Sequence, residues 1–504
     1  LKVTLARANG GLGRREPARN AVQAALQAVP DYGPAKVFEA RLQADAGDVD
    51  GALLSLDQQL KRSPQDAEGW QVKGELLLYG KRDADGALAA FRQAIAVREN
   101  LVPAHAGAMT VLLAKGDVDG AKAQLERLQK VLPKHPQTVF FAANVALLAN
   151  ELDKAKELID QVLRVGDSTP SVLQLAGAIE FERRSWVQAE SHLVKALGLN
   201  PQLEKARRLL VATHLQRFEP AKALSTLQPL LDRPNPPAST YVLKAQAHLQ
   251  AGELAEAEKA FATAARINPD DKRNRTALAL SRVMRGESGA GMDELRTLAS
   301  DADSTVADLP LIAALVRQKD LKGAMAAIDA LEKKQPDKPL APNLRGRLLL
   351  QQGDKDGAEK AFRRALELQP GFFPAASALA QLALLDKRVD DAKKIFDDLL
   401  KAAPTNTQAL IASAALKART GAPREEILAM FNQAIQQAPT DPTPRLALVN
   451  YQLNTQDVKG ALSTAQQANA ALPDNPSLLD ALGRAQAASG DTNQALASFG
   501  KLAQ

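Results

Sequence analysis

Prolines recur along this chain at intervals close to 34 residues or twice that value. The successive intervals between ten of them are 34, 69, 68, 68, 67, 34, 34, 35 and 34 residues. The ten are Pro30, Pro64, Pro133, Pro201, Pro269, Pro336, Pro370, Pro404, Pro439 and Pro473. Self-similarity at a fixed period of this length is typical of repeat architectures, in which each repeat packs only on its neighbours. The chain is therefore predicted to be a stack of similar units.

A recurrent apolar row lies upstream of the prolines. It consists of Ala, a large apolar residue four positions later, and Ala or Leu three positions after that. Its clearest copies are Ala87/Phe91/Ala94, Ala189/Leu193/Ala196, Ala257/Phe261/Ala264, Ala358/Phe362/Ala365, Ala392/Phe396/Leu399 and Ala495/Phe499/Leu502. The spacing i, i+4, i+7 places the three side chains on one face of an α-helix.

An earlier helix in each repeat carries a small residue at its centre, as at Gly74, Gly177, Gly346 and Gly483, and Trp70 stands four positions before the first of these. Short polar turns such as AKGDVD and QQGDKD join the two helices; their Gly ends the first helix and their Asp can cap the second. Each repeat is therefore predicted to be a helical hairpin.

The period, the positions of Trp, Gly, Ala, Phe and Pro, and the turn residues together resemble those of the tetratricopeptide repeat (TPR) family, over nearly the whole chain. The resemblance implies an all-α fold, a right-handed α-solenoid of about fourteen TPR helical hairpins. Residues 1–30 are expected to form a truncated first repeat and residues 31–504 one continuous superhelix. The loop ASDADSTVADLP and Pro310 interrupt the rhythm, so we predict a kink near residues 299–311.

Composition limits the chemistry that the chain can perform. The 504 residues contain no cysteine, which excludes disulfides, thiolate nucleophiles and Cys-ligated zinc within them. The formal net charge is +6, too small over this length to indicate nucleic acid. No apolar stretch approaches the roughly 20 residues that span a bilayer. The chain opens inside a helical pattern without Met, so we expect a mature or truncated portion of a protein whose targeting signal lies upstream.

Catalytic and metal sites are not indicated. The five histidines fall in different repeats, and none has a His or carboxylate partner at metal-ligand spacing along one helix. Asp301, Asp303 and Asp308 resemble part of a calcium loop, but the glycine at the sixth position and the closing Glu are missing. No G-x-S-x-G motif occurs, and the glycines of NGGLG and GESGAG do not follow a strand. We therefore predict that the protein is not an enzyme and binds no metal or cofactor.

A partner-binding groove is implied by the family resemblance. In TPR proteins that bind peptides, the second, fifth, ninth and twelfth positions of the first helix line the concave surface. The candidate groove residues on this frame are Asn144, Gln174, Lys205, Arg208, Gln246, Arg273, Thr276, Asn343, Arg347, Gln381 and Asn450. They are polar with a basic centre, to which Arg207, Arg275, Arg282 and Arg285 add. Aromatic platforms for bases are nearly absent, Phe140 and Phe181 excepted, which counts against nucleic acid.

The C-terminal half also resembles a particular group, the long TPR lipoproteins called PrsT of the exosortase/PEP-CTERM system. The matching segments are 343–385, 438–453 and 471–502, for example NLRGRLLLQQGDKDGAEKAFRRALELQP. The resemblance implies a periplasmic protein of Gram-negative bacteria, associated with the outer membrane through an N-terminal lipid anchor that this segment lacks. It also implies a role beside the machinery of exopolysaccharide biosynthesis and export.

Three hypotheses remain open at this point. The first is a scaffold that binds protein or peptide partners in the cell envelope, with a generic peptide-binding adaptor as its weaker form. The second is a solenoid that binds an acidic polysaccharide directly through the central arginines. The third, an enzyme, would need turnover from a chain with no recognisable site.

Overall fold

The chain is helical throughout the part that a computed structural model describes, residues 2–166, 168–473 and 475–502. It contains thirty α-helices and no strand within these residues. The helices fall into two compact units: unit 1 comprises Leu1–Glu182 with Gly198–Asn200, and unit 2 comprises Arg183–Leu197 with Pro201–Gln504.

Unit 1 contains the first eleven helices. They are α1 (Lys2–Gly11), α2 (Arg15–Ala28), α3 (Gly33–Asp45), α4 (Val49–Arg62), α5 (Ala67–Glu75), α6 (Ala84–Val97), α7 (Val102–Lys115), α8 (Val118–Val131), α9 (Pro136–Leu148), α10 (Leu152–Arg164) and α11 (Pro170–Glu182).

Unit 2 contains most of α12 and all of the later helices. They are α12 (Trp186–Leu199), α13 (Glu204–Gln216), α14 (Pro220–Leu231), α15 (Ala238–Gln250), α16 (Leu254–Ile267), α17 (Lys272–Arg285), α18 (Ser288–Ala299), α19 (Asp308–Arg317), α20 (Leu321–Lys334), α21 (Leu340–Gln351), α22 (Lys355–Leu368), α23 (Phe373–Leu385), α24 (Val389–Ala402), α25 (Thr407–Arg419), α26 (Arg424–Gln437), α27 (Pro442–Asn454), α28 (Val458–Ala471), α29 (Pro476–Ala488) and α30 (Thr492–Leu502).

Fourteen pairs of consecutive helices pack as hairpins, from α1 with α2 to α9 with α10 in unit 1 and from α13 with α14 to α29 with α30 in unit 2. The second helix of a hairpin also packs on the first helix of the next hairpin. Within each unit, the extensive contacts of the described helices join only the same or the adjacent hairpin. This arrangement confirms the predicted all-α solenoid of helical hairpins, because the helices that the structure describes form no core between repeats that are distant in the chain.

The apolar row forms the core of each hairpin. Ala358, Phe362 and Ala365 are fully buried, and the rows at Phe91, Leu193, Phe261 and Phe396 are buried as well. Three of the central glycines face the aromatic ring of the row: a Cβ on Gly74 would lie 2.7 Å from Cδ1 of Phe91, one on Gly346 would lie 2.6 Å from Cε1 of Phe362, and one on Gly483 would lie 2.6 Å from Cε1 of Phe499. The small residue therefore provides the space that the ring occupies. In the last row, Phe499 is half-buried and Leu502 is exposed.

The turn inside each hairpin contains one residue with left-handed backbone. Glycine fills this position in about half of the turns, for example Gly353 at φ +84°, and other residues adopt the same conformation elsewhere, for example Lys387 at φ +61°. Next to it, an Asp side chain often caps the second helix, as Asp354 does by accepting a hydrogen bond of 2.8 Å from the backbone N–H of Gly357. The turn chemistry expected from the sequence is present.

Two repeats are one residue longer, and the structure absorbs the extra residue in two ways. At the end of α5 the helix widens into a π-helical segment, Leu76–Lys81. Between α25 and α26 the extra residue lies in the turn before Pro423.

Candidate partner-binding face

Six of the predicted groove residues are exposed, and all six lie in unit 2 on the first helices of hairpins. We call these six residues the A-helix face; they are Lys205 on α13, Gln246 on α15, Arg273 on α17, Arg347 on α21, Gln381 on α23 and Asn450 on α27. Two of the first helices that carry them, α13 and α15, pack on one another. The frame of the repeat therefore turns these polar side chains towards solvent.

Five further candidates offer less to a partner. Asn144 and Gln174, in unit 1, are half-buried, and the amide of Asn144 donates to the carbonyl of Phe140 at 3.0 Å. Thr276 and Asn343 are buried, each 4% exposed, and Oγ1 of Thr276 and Oδ1 of Asn343 have no hydrogen-bond partner among the described residues. Burial excludes these last two from any surface contact, so the A-helix face omits them.

Arg208 is half-buried and already engaged. Its guanidinium donates to Glu204 at 2.9 Å, to Ser239 at 3.2 Å and to Thr240 at 2.8 Å, which ties α13 to the first turn of α15. The hydrogen bond from Arg208 is the largest cause that lowers the pKa of Glu204; burial opposes it, and Arg233 adds to it. Arg208 therefore joins two helices and is only a secondary candidate for binding a partner.

Four of the other five central arginines are likewise occupied by groups of the chain. Arg275 pairs with Glu294, while Arg282 and Arg285 share Glu258. Arg207 donates to the carbonyls of Thr226 and Pro201. Within the described residues, Arg273 has no such ion pair. The sequence showed the basic residues but could not show that most of their charge is already matched.

A positive excess nonetheless remains in this part of unit 2. Residues 183–300 contain eighteen Lys and Arg against twelve Asp and Glu, an excess that equals the +6 of the whole chain. Lys205 and Arg273, both exposed, contribute to it from the A-helix face. The face is thus weakly basic in its N-terminal half and mainly neutral and polar further on.

Sequence reasoning missed a cluster in which Glu190, His214 and Glu219 bring possible metal-ligand atoms within 4.8 Å of one another. Arg217 and Lys222 lie against both carboxylates, with Arg217 at 3.1 Å and Lys222 at 3.2 Å from Glu219. Burial tends to raise the pKa of Glu219, but hydrogen bonds from Lys222 and His214 lower it overall. Because two cations already balance the two carboxylates, the cluster is best explained as an ion-pair network. The only trace in the sequence is a His-x4-Glu pair that recurs 34 residues later as His248 and Glu253.

A lysine side chain binds the loop whose aspartates resemble part of a calcium site. The ammonium group of Lys334 contacts both carboxylate oxygens of Asp308 at 2.9 Å, the carbonyl of Ala299 at 2.6 Å and the carbonyl of Ser304 at 3.0 Å. Asp308 is 2% exposed. A cation is therefore built into this loop as a side chain. Asp301 pairs instead with Lys272, which lowers the pKa of Asp301.

None of the helices in the described part of the chain combines the length and the hydropathy needed to cross a membrane.

Two family models, both described as tetratricopeptide repeat, match four segments of the chain. One matches residues 113–179 and 349–419, and the other matches residues 210–272 and 309–372. The matched segments lie in both units, and they support the repeat assignment independently of the structure.

Curated relatives match only part of this chain. "Cellulose synthase operon protein C" of Xanthomonas axonopodis pv. citri (strain 306) is 26% identical over 309 residues, which is 59% of this chain and 18% of that protein. The protein of the same name from Pseudomonas fluorescens (strain SBW25) is 29% identical over 180 residues, 34% of this chain and 14% of that protein. The chain thus spans less than a fifth of the length of these relatives.

Among solved structures, Cut9 with Hcn1 from the APC/C aligns with 15% identity and a TM-score of 0.42, over 89% of this chain and 95% of the other. A tetratricopeptide repeat protein from Parabacteroides merdae ATCC 43184 aligns with 15% identity and a TM-score of 0.40, over 49% of this chain and 97% of the other.

Proposed function

The chain is a tetratricopeptide-repeat protein, and on that premise we propose that it is a non-catalytic scaffold that holds protein segments on the A-helix face of unit 2. The observation that supports this proposal most directly is the set of six exposed polar side chains on the first helices of six hairpins, Lys205, Gln246, Arg273, Arg347, Gln381 and Asn450. Amide and guanidinium groups can pair with the backbone and the carboxylates of an extended partner.

The process that we propose for this scaffold is exopolysaccharide biosynthesis or export in the bacterial cell envelope. Its support is the pair of distant relatives whose names place them in a cellulose synthase operon. The resemblance of the C-terminal half to lipoproteins of the PEP-CTERM system refines the proposal to a periplasmic protein anchored at the outer membrane. Its partners would be proteins of the polysaccharide machinery.

An acidic polysaccharide is the alternative ligand. The excess of six positive charges in residues 183–300 favours it. Against it, the ion pairs of Arg208, Arg275, Arg282 and Arg285 leave few central cations unmatched. We therefore favour the protein partner.

Affinity purification from envelope extracts would test the proposal, with the tagged full chain as bait. The bait should retain identified proteins of the polysaccharide machinery. A charge-reversed variant, Lys205→Glu with Arg273→Glu and Arg347→Glu, should lose them. The matched control reverses three exposed cations outside this face, Lys195→Glu on α12, Arg266→Glu on α16 and Lys360→Glu on α22, and should retain them.

Two outcomes would contradict the proposal. Equal retention by the variant and the control would remove the A-helix face from the contact. Salt-sensitive retention of the chain on an acidic polysaccharide column, lost in the same variant, would favour the alternative ligand, because exposed charge pairs weaken with ionic strength.

A further inference from the structure

The first helices of unit 1 line a half-open cavity of about 570 Å³, between α1, α3, α5 and the start of α7. We call it the unit 1 cavity. Its floor is apolar and is formed by Val37, Phe38 and Leu42 of α3 and Val72 of α5. Ligand sites in proteins have volumes of about 300–1,000 Å³ and are mostly lined by apolar side chains. The cavity therefore has the size and the lining of a small-molecule site.

Two arginines stand at the edge of this floor. Arg7 of α1 donates to Glu68 of α5 at 2.6 Å, and Arg41 of α3 donates to Glu75 at 2.8 Å. The side chains of Arg7 and Arg41 remain 48% and 41% exposed. A guanidinium has five N–H donors, so each arginine retains donors for a second carboxylate. The lining also contains two carboxylates: Glu68 is shared by Arg7 and Arg98, and Asp45 lies one helical turn after Arg41 on α3.

From this arrangement we propose that the unit 1 cavity binds one small amphipathic molecule, with its apolar tail on the α3 floor and its carboxylate on Arg7 and Arg41. The Arg7–Glu68 ion pair joins α1 to α5, the two helices on either side of α3. A polypeptide that followed the first helices would have to break this pair, whereas a single tail enters beside it. This geometry favours a small ligand over a protein segment.

Calorimetric titration of the full chain with octanoate, decanoate and dodecanoate, below their micelle concentrations, tests the proposal. We expect saturable binding of one molecule per chain, with affinity rising about fourfold per added methylene while the tail still contacts the floor. Decylamine, which has a tail of the same length as decanoate and the opposite charge, should bind at least tenfold more weakly than decanoate. Equal binding of decylamine, or no saturable binding of dodecanoate, would overturn the proposal.

A substitution that fills the cavity distinguishes binding inside it from nonspecific adsorption of the fatty acid to the protein surface. Gly11 lines the cavity, and a Cβ at this position would meet no atom within 4 Å, so Gly11→Leu should fill space without disturbing the fold. It should weaken dodecanoate binding at least tenfold. Gly289→Leu on α18, where a Cβ is equally unobstructed, is the matched control and should bind as the unchanged protein does. Equal affinity of the two variants would overturn the proposal.

The charge requirement has its own pair of variants. Arg41→Gln should weaken dodecanoate binding, whereas Arg62→Gln should not, because Arg62 pairs with Asp31 and does not line the cavity. Equal effects of the two would contradict the carboxylate site. Failure of any of these tests leaves the proposed scaffold function untouched, since that function depends on unit 2.

Discussion

At the scale of single residues, the fold depends on matching a glycine in the first helix to an aromatic ring in the second. Gly346 and Phe362 are one such pair, and Gly74 meets Phe91 in the same way. The ring is fully or almost fully buried in both cases. Protein cores are packed as densely as organic crystals, so an added methyl group at such a glycine has no free volume to enter.

Gly346→Ala is therefore expected to destabilise unit 2 by about 1–3 kcal/mol, because the new Cβ would lie 2.6 Å from the ring of Phe362 and the ring must move. Urea unfolding followed by circular dichroism would measure the change. Gly289→Ala is the control: its Cβ meets no atom within 4 Å, so the better helix propensity of Ala should stabilise α18 by about 0.5–1 kcal/mol. Equal changes in the two variants would contradict this account of the core.

The left-handed turn position gives a second prediction. Lys387 is exposed and lies at φ +61°, a conformation that costs an ordinary residue about 1–2 kcal/mol. Lys387→Gly should therefore stabilise the hairpin of α23 and α24, by up to about 1 kcal/mol because glycine also has more entropy to lose. Gly353→Ala, at φ +84° in the previous hairpin, should change the urea midpoint in the opposite direction. A stabilising Gly353→Ala would contradict the argument.

At the scale of elements, the irregular segment between α18 and α19 is held by one buried side chain. Lys334 of α20 contacts Asp308 at the start of α19 and the carbonyls of Ala299 and Ser304. The lysine side chain is 10% exposed and the aspartate side chain 2%. A buried ion pair of this kind is costly to break, because the remaining charge stays buried without a partner.

Lys334→Met is accordingly expected to destabilise unit 2 by about 3–5 kcal/mol and to speed hydrogen exchange in residues 300–307. Lys333→Met, its exposed neighbour without an ion pair, should have little effect. Adding Asp308→Leu to Lys334→Met should recover part of the loss, because the unpaired buried carboxylate is then gone. Unchanged exchange in residues 300–307 would show that Lys334 does not hold the segment. These variants do not measure the kink near residues 299–311, which stays a prediction.

At the scale of the whole molecule, carboxylates with lowered pKa values link stability to pH. The hydrogen bond from Arg363 is the main cause that lowers the pKa of Glu359, and Arg388 adds to it, while Glu204 is lowered chiefly by Arg208. Folding then favours the ionised carboxylates. The stability that these carboxylates contribute is fully present above their pKa in the unfolded chain, about 4.5. It is lost as the pH falls through their lower pKa values in the folded protein.

We therefore expect the free energy of unfolding to be nearly constant with respect to these groups between pH 6 and pH 8 and to fall below about pH 4.5. Thermal unfolding at pH 7 and pH 3.5 would measure the loss. Arg208→Gln should narrow the difference between the two pH values, because Glu204 then loses the main cause of its lowered pKa. A difference that the variant leaves unchanged would contradict the role of this pair.

Much of this structure was predictable from the sequence, because the information is local and repeated. The proline intervals gave the period, and the Ala-Phe-Ala rows gave the buried face of the second helix, since an i, i+4, i+7 spacing determines which side of a helix is apolar. Even the turns could be read, from Gly and Asp at regular positions. Each of these signals lies within one hairpin, so no distant contact was needed to interpret it.

Tertiary structure decided which polar groups remain available. Thr276 and Asn343 fall on the frame of the candidate groove but are buried, and Arg275, Arg282 and Arg285 are matched by carboxylates on neighbouring helices. The unit 1 cavity forms because residues that are distant in the sequence come into contact, as Arg7 and Glu68 do across 61 positions. A repeat pattern specifies which face a side chain occupies. Its exposure and its ionic partner depend on the side chains of adjacent hairpins, which vary from one repeat to the next.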